Sequence, residues 1–124
     1  MDEELFAALR ERNPRYVEAG YLFVLSALNY VLERMPEPRH ITGRELAEGV
    51  RDLALERFGP MARSVLEHWG IESTADVGEI VFLLVETGVL IKQDEDSRAD
   101  FVDVFDFDDA FATPYPRRGD EPRR

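Results

Sequence analysis

The sequence predicts a mainly α-helical protein, with four to five helices packed around a central helix at about residues 14–35 and a small β-hairpin near the C-terminus. One observation behind this prediction is the stretch over residues 16–35, which is apolar on nearly all sides at helical periodicity. The other is a series of capping residues and Gly or Pro breaks, which divides most of the remaining chain into short helices. A chain of 124 residues is long enough to form one domain with its own core.

The central helix carries one narrow polar stripe. At about 100° per residue, Glu18, Ser26, Asn29 and Glu33 fall together, with Leu22 among them. A helix with so little polar surface normally has neighbours on several sides. A membrane span needs about 20 predominantly apolar residues, and the charged residues interrupt this run. The stretch therefore predicts a central helix of a soluble protein, with no membrane contact.

Capping residues and chain breakers locate the other helices. Asp2 is a suitable N-cap for a helix over Glu3–Arg12. Thr42 and Glu45 have the spacing of a capping box, which predicts a helix from Gly43 to about Phe58. Two further helices are predicted, one over residues 61–69 after Gly59-Pro60 and one over residues 74–87, which opens with a second capping pattern at Ser73 and Asp76 and ends at Gly88.

The predicted hairpin occupies about residues 89–92 and 101–107. Its first strand is a short apolar run, and its second shows Phe101, Phe105 and Phe107 at the period of two that is typical of a strand. In the later half of a winged-helix domain, two helices are followed by a hairpin, and this chain has the same predicted order. The expected architecture is therefore winged-helix-like, although this order is common among small domains.

The domain boundary is predicted near residue 112. Residues 1–112 form the helical domain with its hairpin, whereas residues 113–124 contain three prolines and no apolar periodicity. Such a Pro- and Arg-containing tail is expected to be disordered.

Charge and composition exclude several classes of function. The formal net charge of −11 argues against a nucleic acid partner, because affinity for a phosphate backbone comes mainly from Lys and Arg. The chain has no cysteine, which excludes disulfides, thiolate nucleophiles and cysteine-ligated metals. Its N-terminus lacks the basic start and apolar run of a signal peptide, so the cytoplasm is the expected location.

No metal, cofactor or catalytic site is predicted. An EF-hand loop beginning at Asp94 would need glycine at its sixth position and glutamate at its twelfth, where this chain has Ala99 and Phe105. His40 and His68 are the only histidines, and neither has the spacing of paired metal ligands. No nucleophile elbow or glycine-rich phosphate loop is present.

The helix over residues 74–87 is the candidate interaction surface. In a winged-helix protein it would be the recognition helix, but it offers Asp76, Glu79 and Glu86, which would repel DNA. This acidic stripe encloses Leu83. The pattern predicts a protein interface with Leu83 as its anchor and the three carboxylates as its rim. The alternative is a single exposed leucine, which is common on protein surfaces.

Several segments resemble a family of small conserved proteins from planctomycete and verrucomicrobial bacteria. The likeness extends from Tyr16 to Phe111, and Leu83 stands where the family pattern leads us to expect a polar residue. Since the family has no established activity, the resemblance implies a restricted bacterial role and no catalytic residue. The segments that carry it are GRELAEGVRDLALERFGPMAR at 43–63, HWGI at 68–71, DVGEIVFLLVETGVL at 76–90, DSRADF at 96–101 and FDFDDAF at 105–111.

These observations predict a non-enzymatic cytoplasmic protein that binds another protein or itself. The alternative is a winged-helix-like regulator that touches nucleic acid through another face. A third class, an enzyme of unrecognised type, would need a pocket that joins Tyr30, His40 or His68 to a carboxylate. The local basic residues available to the second class are Arg44, Arg51, Arg57 and Arg63.

Overall fold

A computed structural model describes residues 2–37, 39–91 and 98–111. This part of the chain is mainly helical, as the sequence predicts, and its helices pack around a shared core. None of its helices is long and apolar enough to cross a membrane. The predicted tail over residues 113–124 lies outside the described residues. The helices are α1 (Glu3–Arg12), α2 (Glu18–Glu33), α3 (Gly43–Phe58), α4 (Ala62–His68), α5 (Thr74–Glu86) and α6 (Phe107–Ala110), with 3₁₀ turns at Gly59–Met61 and Arg98–Phe101.

The central helix α2 begins later than the sequence predicts. The Asn13 side chain accepts a hydrogen bond from the Arg15 amide at 2.9 Å, and the Val17 amide donates to the Trp69 carbonyl at 3.4 Å. Asn13 therefore caps a turn, and the helix starts at Glu18. α2 packs most extensively against α3 and also contacts α5. Leu22 and Asn29 of the polar stripe are exposed, as expected.

Glycine allows two close approaches between elements. Gly49 of α3 lies against Val31 of α2, where an added Cβ would collide with the valine side chain. At Gly78 of α5, an added Cβ would lie 2.7 Å from the Phe101 side chain. Because Phe101 is buried, its ring has little room to move away. These glycines bring α3 close to α2, and the Arg98–Phe101 turn close to α5.

The strongest capping signals are confirmed, and one weaker signal is wrong. Asp2 accepts from the Leu5 amide at 2.8 Å, and both hydrogen bonds of the Thr42–Glu45 capping box are present. Ser73, by contrast, makes no capping hydrogen bond to α5. Asp76, the other half of that pattern, accepts hydrogen bonds from Arg15, Tyr16 and the Glu72 amide instead.

The predicted β-hairpin is absent from the described residues. The amides of Val89 and Leu90 both bond to the Leu84 carbonyl, which closes the end of α5. Two of the three phenylalanines at the period of two are buried in short helical segments, since Phe101 ends a 3₁₀ turn and Phe107 begins α6. Phe105 is half-buried. Residues 92–97, which include the end of the first predicted strand, lie outside the described residues. Without these strands, the part of the chain that the structure describes has no wing.

Candidate functional site

The predicted interface on α5 is not an exposed face. Leu83 is only 4% exposed and belongs to the core, and Asp76 is 9% exposed. Glu79 is half-buried, whereas Glu86 is exposed and lies 3.7 Å from Arg12 of α1. The assignment of Asp76, Glu79, Leu83 and Glu86 to one exposed surface is therefore corrected, because α1 and the turn after it cover this side of α5.

Asp76 instead joins the turn before α2 to the start of α5. Its carboxylate accepts from the Tyr16 hydroxyl at 2.6 Å, from Nη2 of Arg15 at 3.2 Å and from the Glu72 amide at 2.8 Å. A buried carboxylate needs hydrogen-bond donors, and these three groups supply them. This cluster connects residues about 60 positions apart in the sequence, so it supports the fold rather than an open site.

Two buried tyrosines beside this cluster have raised pKa values. Burial, together with the hydrogen bond to Asp76, raises the pKa of Tyr16 well above its usual value. Burial raises the pKa of Tyr21 to about 12. Among the described residues the Tyr21 hydroxyl has no hydrogen-bond partner, and its ring packs edge-on against those of Tyr16 and Phe6.

The residues considered for nucleic acid binding or catalysis are not brought into one site. Tyr30 shares a hollow with Glu45, Glu48 and Asp52, and His40 shares a separate one with Asp100. His68 is exposed at the end of α4 and lines neither of these hollows. No group of three potential metal ligands occurs among the described residues. Three of the four candidate arginines pair with carboxylates of their own helix, and the fourth lies over an aromatic ring: Arg44 with Glu48, Arg51 with Asp52, Arg63 with Glu67, and Arg57 over Phe23.

The candidate site is an apolar groove beside the N-terminus of α3, with a volume of about 350 Å³. The loop before α3 forms one side, and the end of α5 with the residues after it forms the other. Leu28 and Leu32 contribute from α2, one helical turn apart. The remaining lining residues are Arg39, His40, Ile41, Thr42, Gly43, Leu46, Val81, Val85, Val89, Leu90, Ile91 and Phe101.

The groove opens to the surface through side chains that are themselves apolar. Leu32 is 39% exposed and Ile91 is 85% exposed. Large apolar side chains that converge on a concave surface are a feature of binding sites. A lone exposed leucine such as Leu22, which does not line the groove, needs no such explanation.

Arg39 marks the polar edge of the groove. Its guanidinium donates to both carboxylate oxygens of Glu45, at 2.9 and 2.6 Å, and to the His40 carbonyl at 2.9 Å. The hydrogen bond from Arg39, followed by that from the Thr42 amide, lowers the pKa of Glu45 to about 2. The capping box of α3 therefore also fixes the position of the Arg39 side chain.

Sequence analysis missed this groove because its residues come from four separate segments. Leu28 and Leu32 belong to the apolar surface of the central helix, which was expected to have neighbours on several sides. Val81 and Val85 lie four residues apart on α5, which indicates a shared face but not whether a neighbour covers it. Arg39 lies in a short segment before α3 whose sequence fits either a loop or one small strand. Only the contact between these segments reveals the opening.

Comparison with known proteins adds no family to these observations. The chain matches no protein-family model, no curated protein and no solved structure. The likeness to planctomycete and verrucomicrobial proteins therefore remains an expectation from the sequence alone. Function has to be inferred from the groove.

Proposed function

We propose that this protein is a non-enzymatic binding module that holds an apolar segment of another protein in the groove between α2, α5 and the loop before α3. The observation that supports this function is the apolar lining of the groove, which remains open at Leu32 and Ile91. Burial of apolar surface is the main favourable contribution to protein association. The proposed location is the bacterial cytoplasm, in line with the family resemblance of the sequence.

The size and openness of the groove favour a protein segment over a compact small molecule. A cavity of about 150 Å³ is enough for one benzene-sized group, so a groove of about 350 Å³ can take two large apolar side chains. A small-molecule site usually encloses most of its ligand. Here the exposed side chain of Ile91 extends the apolar surface beyond the groove. A polypeptide with neighbouring residues on both sides of its anchors would cover that extension.

The charge of the chain favours a partner other than itself. A net charge of −11 on a chain of 124 residues makes two copies repel each other at low ionic strength. The same charge opposes a nucleic acid backbone. The partner segment should therefore come from a protein that is neutral or basic overall.

A selection from a library of random displayed peptides tests this proposal. We expect the selected peptides to carry at least two large apolar residues, and Leu32→Gln to weaken their binding strongly. Leu22→Gln is the matched control, since Leu22 is on the same helix and is 41% exposed, against 39% for Leu32. Glutamine keeps a high helix propensity and adds no charge. A selection without apolar enrichment, or equal weakening by both variants, would contradict the proposal.

A further inference from the structure

We infer that the groove recognises the C-terminal end of its partner, with the last apolar side chains in the groove and the terminal carboxylate at Arg39. This inference rests on the proposed function and specifies which part of a protein the groove takes. It follows from the distribution of charged residues around the groove and from the hydrogen bonds that hold the Arg39 side chain in place.

The groove differs from the neighbouring hollows in having no carboxylate among its described lining residues. Among the residues that the structure describes, Arg39 is the only charged side chain that lines it, and His40 is the only other ionisable one. This is unusual in a chain with 26 acidic residues. The other three hollows identified in the described residues each include carboxylates: Asp100 in one, Glu45, Glu48 and Asp52 in the second, and Glu72, Asp103 and Asp106 in the third.

The Arg39 guanidinium is held in place yet retains donors for another acceptor. Its hydrogen bonds to the described residues, two to the oxygens of Glu45 and one to the His40 carbonyl, use three of its five N–H groups. The pair with Glu45 fixes the guanidinium, which reduces the entropy lost when a ligand binds to it. Glu45 holds the guanidinium from outside the groove, so a ligand carboxylate would have to approach the N–H groups that Glu45 leaves unoccupied.

A terminal carboxylate suits this arrangement better than the carboxylate of an acidic side chain. It follows the last apolar residue directly, so apolar side chains can fill the groove while the carboxylate meets a donor at its edge. Thr42 and Gly43, at the positive end of the α3 dipole, line the same edge, and Asp100 lies beside them in the adjacent hollow. The apolar lining and the position of Arg39 thus select for an apolar chain end with a negative charge.

A pair of peptides that differ only at the C-terminus tests the inference. The probe is fluorescein-labelled Gly-Ser-Gly-Leu-Val-Leu with either a free carboxylate or an amide, and binding is measured by fluorescence anisotropy. The amide lacks the charge that a free carboxylate offers to the Arg39 guanidinium, so we expect it to bind about tenfold more weakly. Arg39→Gln should remove most of this difference. Arg44→Gln, which makes the same charge change just outside the groove, should retain it.

Arg39→Lys separates loss of charge from loss of the planar donor group. Lysine keeps the positive charge but lacks the forked guanidinium, so we expect a difference between the two peptides that lies between those of the wild type and Arg39→Gln. Melting temperatures of all variants show whether the capping box at Thr42 and Glu45 has been disturbed. A carboxylate preference that persists unchanged in Arg39→Gln would overturn the role of Arg39.

The remaining outcomes distinguish the inference from the proposed function. Equal binding of both peptides, lost in Leu32→Gln, would overturn recognition of a chain end while leaving the proposed function intact. Failure of both peptides, together with a library selection that shows no apolar enrichment, would overturn both. Displacement of every peptide by dodecanoate at much lower concentration would identify an acyl chain as the occupant and would also overturn the inference.

Discussion

Replacement of Asp76 by alanine should strongly destabilise the fold, although sequence analysis placed this residue on an exposed interface. The carboxylate accepts hydrogen bonds from the Tyr16 hydroxyl, the Arg15 guanidinium and the Glu72 amide. Alanine removes all three acceptor contacts at once. The change therefore tests whether the start of α5 and the turn before α2 depend on this single side chain.

The expected loss of stability depends on whether each donor finds another acceptor once the Asp76 carboxylate is gone. The Tyr16 hydroxyl is buried, so the loss of Asp76 costs about 1–3 kcal/mol for an unsatisfied group. The Glu72 amide adds roughly 1 kcal/mol, as expected for an ordinary hydrogen bond. Arg15 adds little, because its side chain is well exposed and also reaches Glu72 at 3.1 Å. We expect a total of about 2–4 kcal/mol.

Equilibrium unfolding in urea measures this change. Glu86→Ala is the control, since Glu86 is an exposed carboxylate of the same helix and should change stability by less than about 0.5 kcal/mol. Tyr16→Phe with Asp76→Ala completes a double-mutant cycle, in which the two losses should be less than additive because the residues share one hydrogen bond. If Asp76→Ala and Glu86→Ala had the same effect, the buried cluster would not stabilise the fold as argued.

Three further predictions concern the core. Leu83→Ala should lower the free energy of unfolding in urea by about 2–5 kcal/mol, whereas Leu22→Ala should lower it by less than about 1 kcal/mol. Equally small losses in both variants would show that Leu83 is exposed and not part of the core. Gly78→Ala should lower the melting temperature despite the higher helix propensity of alanine, because its Cβ would meet the Phe101 side chain; a higher melting temperature would refute that contact. Tyr21→Phe should leave stability at neutral pH unchanged or higher, since it removes a hydroxyl without a partner among the described residues. The pKa of Tyr21, about 12 in the folded state against an ordinary value of 10, makes wild-type stability fall as pH rises from about 10 to about 12. The phenylalanine variant should lose less stability over that range, and equal losses in alkaline titrations would contradict the shifted pKa.

Local signals predicted the helices well because the interactions that begin and end a helix lie within a few residues. Asp2 and the Thr42–Glu45 capping box are close in sequence to the amides that they satisfy, and both predictions are confirmed. Glycine at positions 70 and 88 adopts a positive φ after α4 and α5, as expected for helix ends. α3 buries Leu46, Val50, Leu53 and Ala54 at helical spacing, so its own sequence indicates which of its sides faces the core.

The features that the sequence did not predict depend on packing between segments that are far apart in the chain. Phe101 and Phe107 have strand-like spacing, but each is buried as part of a short helical segment. Phe101 packs against Gly78, which is far away in the sequence, so its own segment could not reveal this contact. Leu83 lies among acidic residues, which suggested an exposed side. That side is instead covered by α1, and no local pattern of α5 records the presence of another helix. The groove was missed for the same reason, because no single segment contains it.

The distribution of ion pairs links these corrections to the proposed function. On α5, Asp76 pairs with Arg15 and Glu86 pairs with Arg12, so part of the acidic stripe attaches the N-terminal segment to α5 instead of presenting charge to a partner. At the groove, Glu45 orients Arg39 while remaining outside the lining. The apolar opening is consequently free of carboxylates among its described residues although the chain as a whole is strongly acidic. An apolar segment that ends in a negative charge would be repelled by most of this surface, and the groove is where the described residues offer it both apolar contacts and a donor.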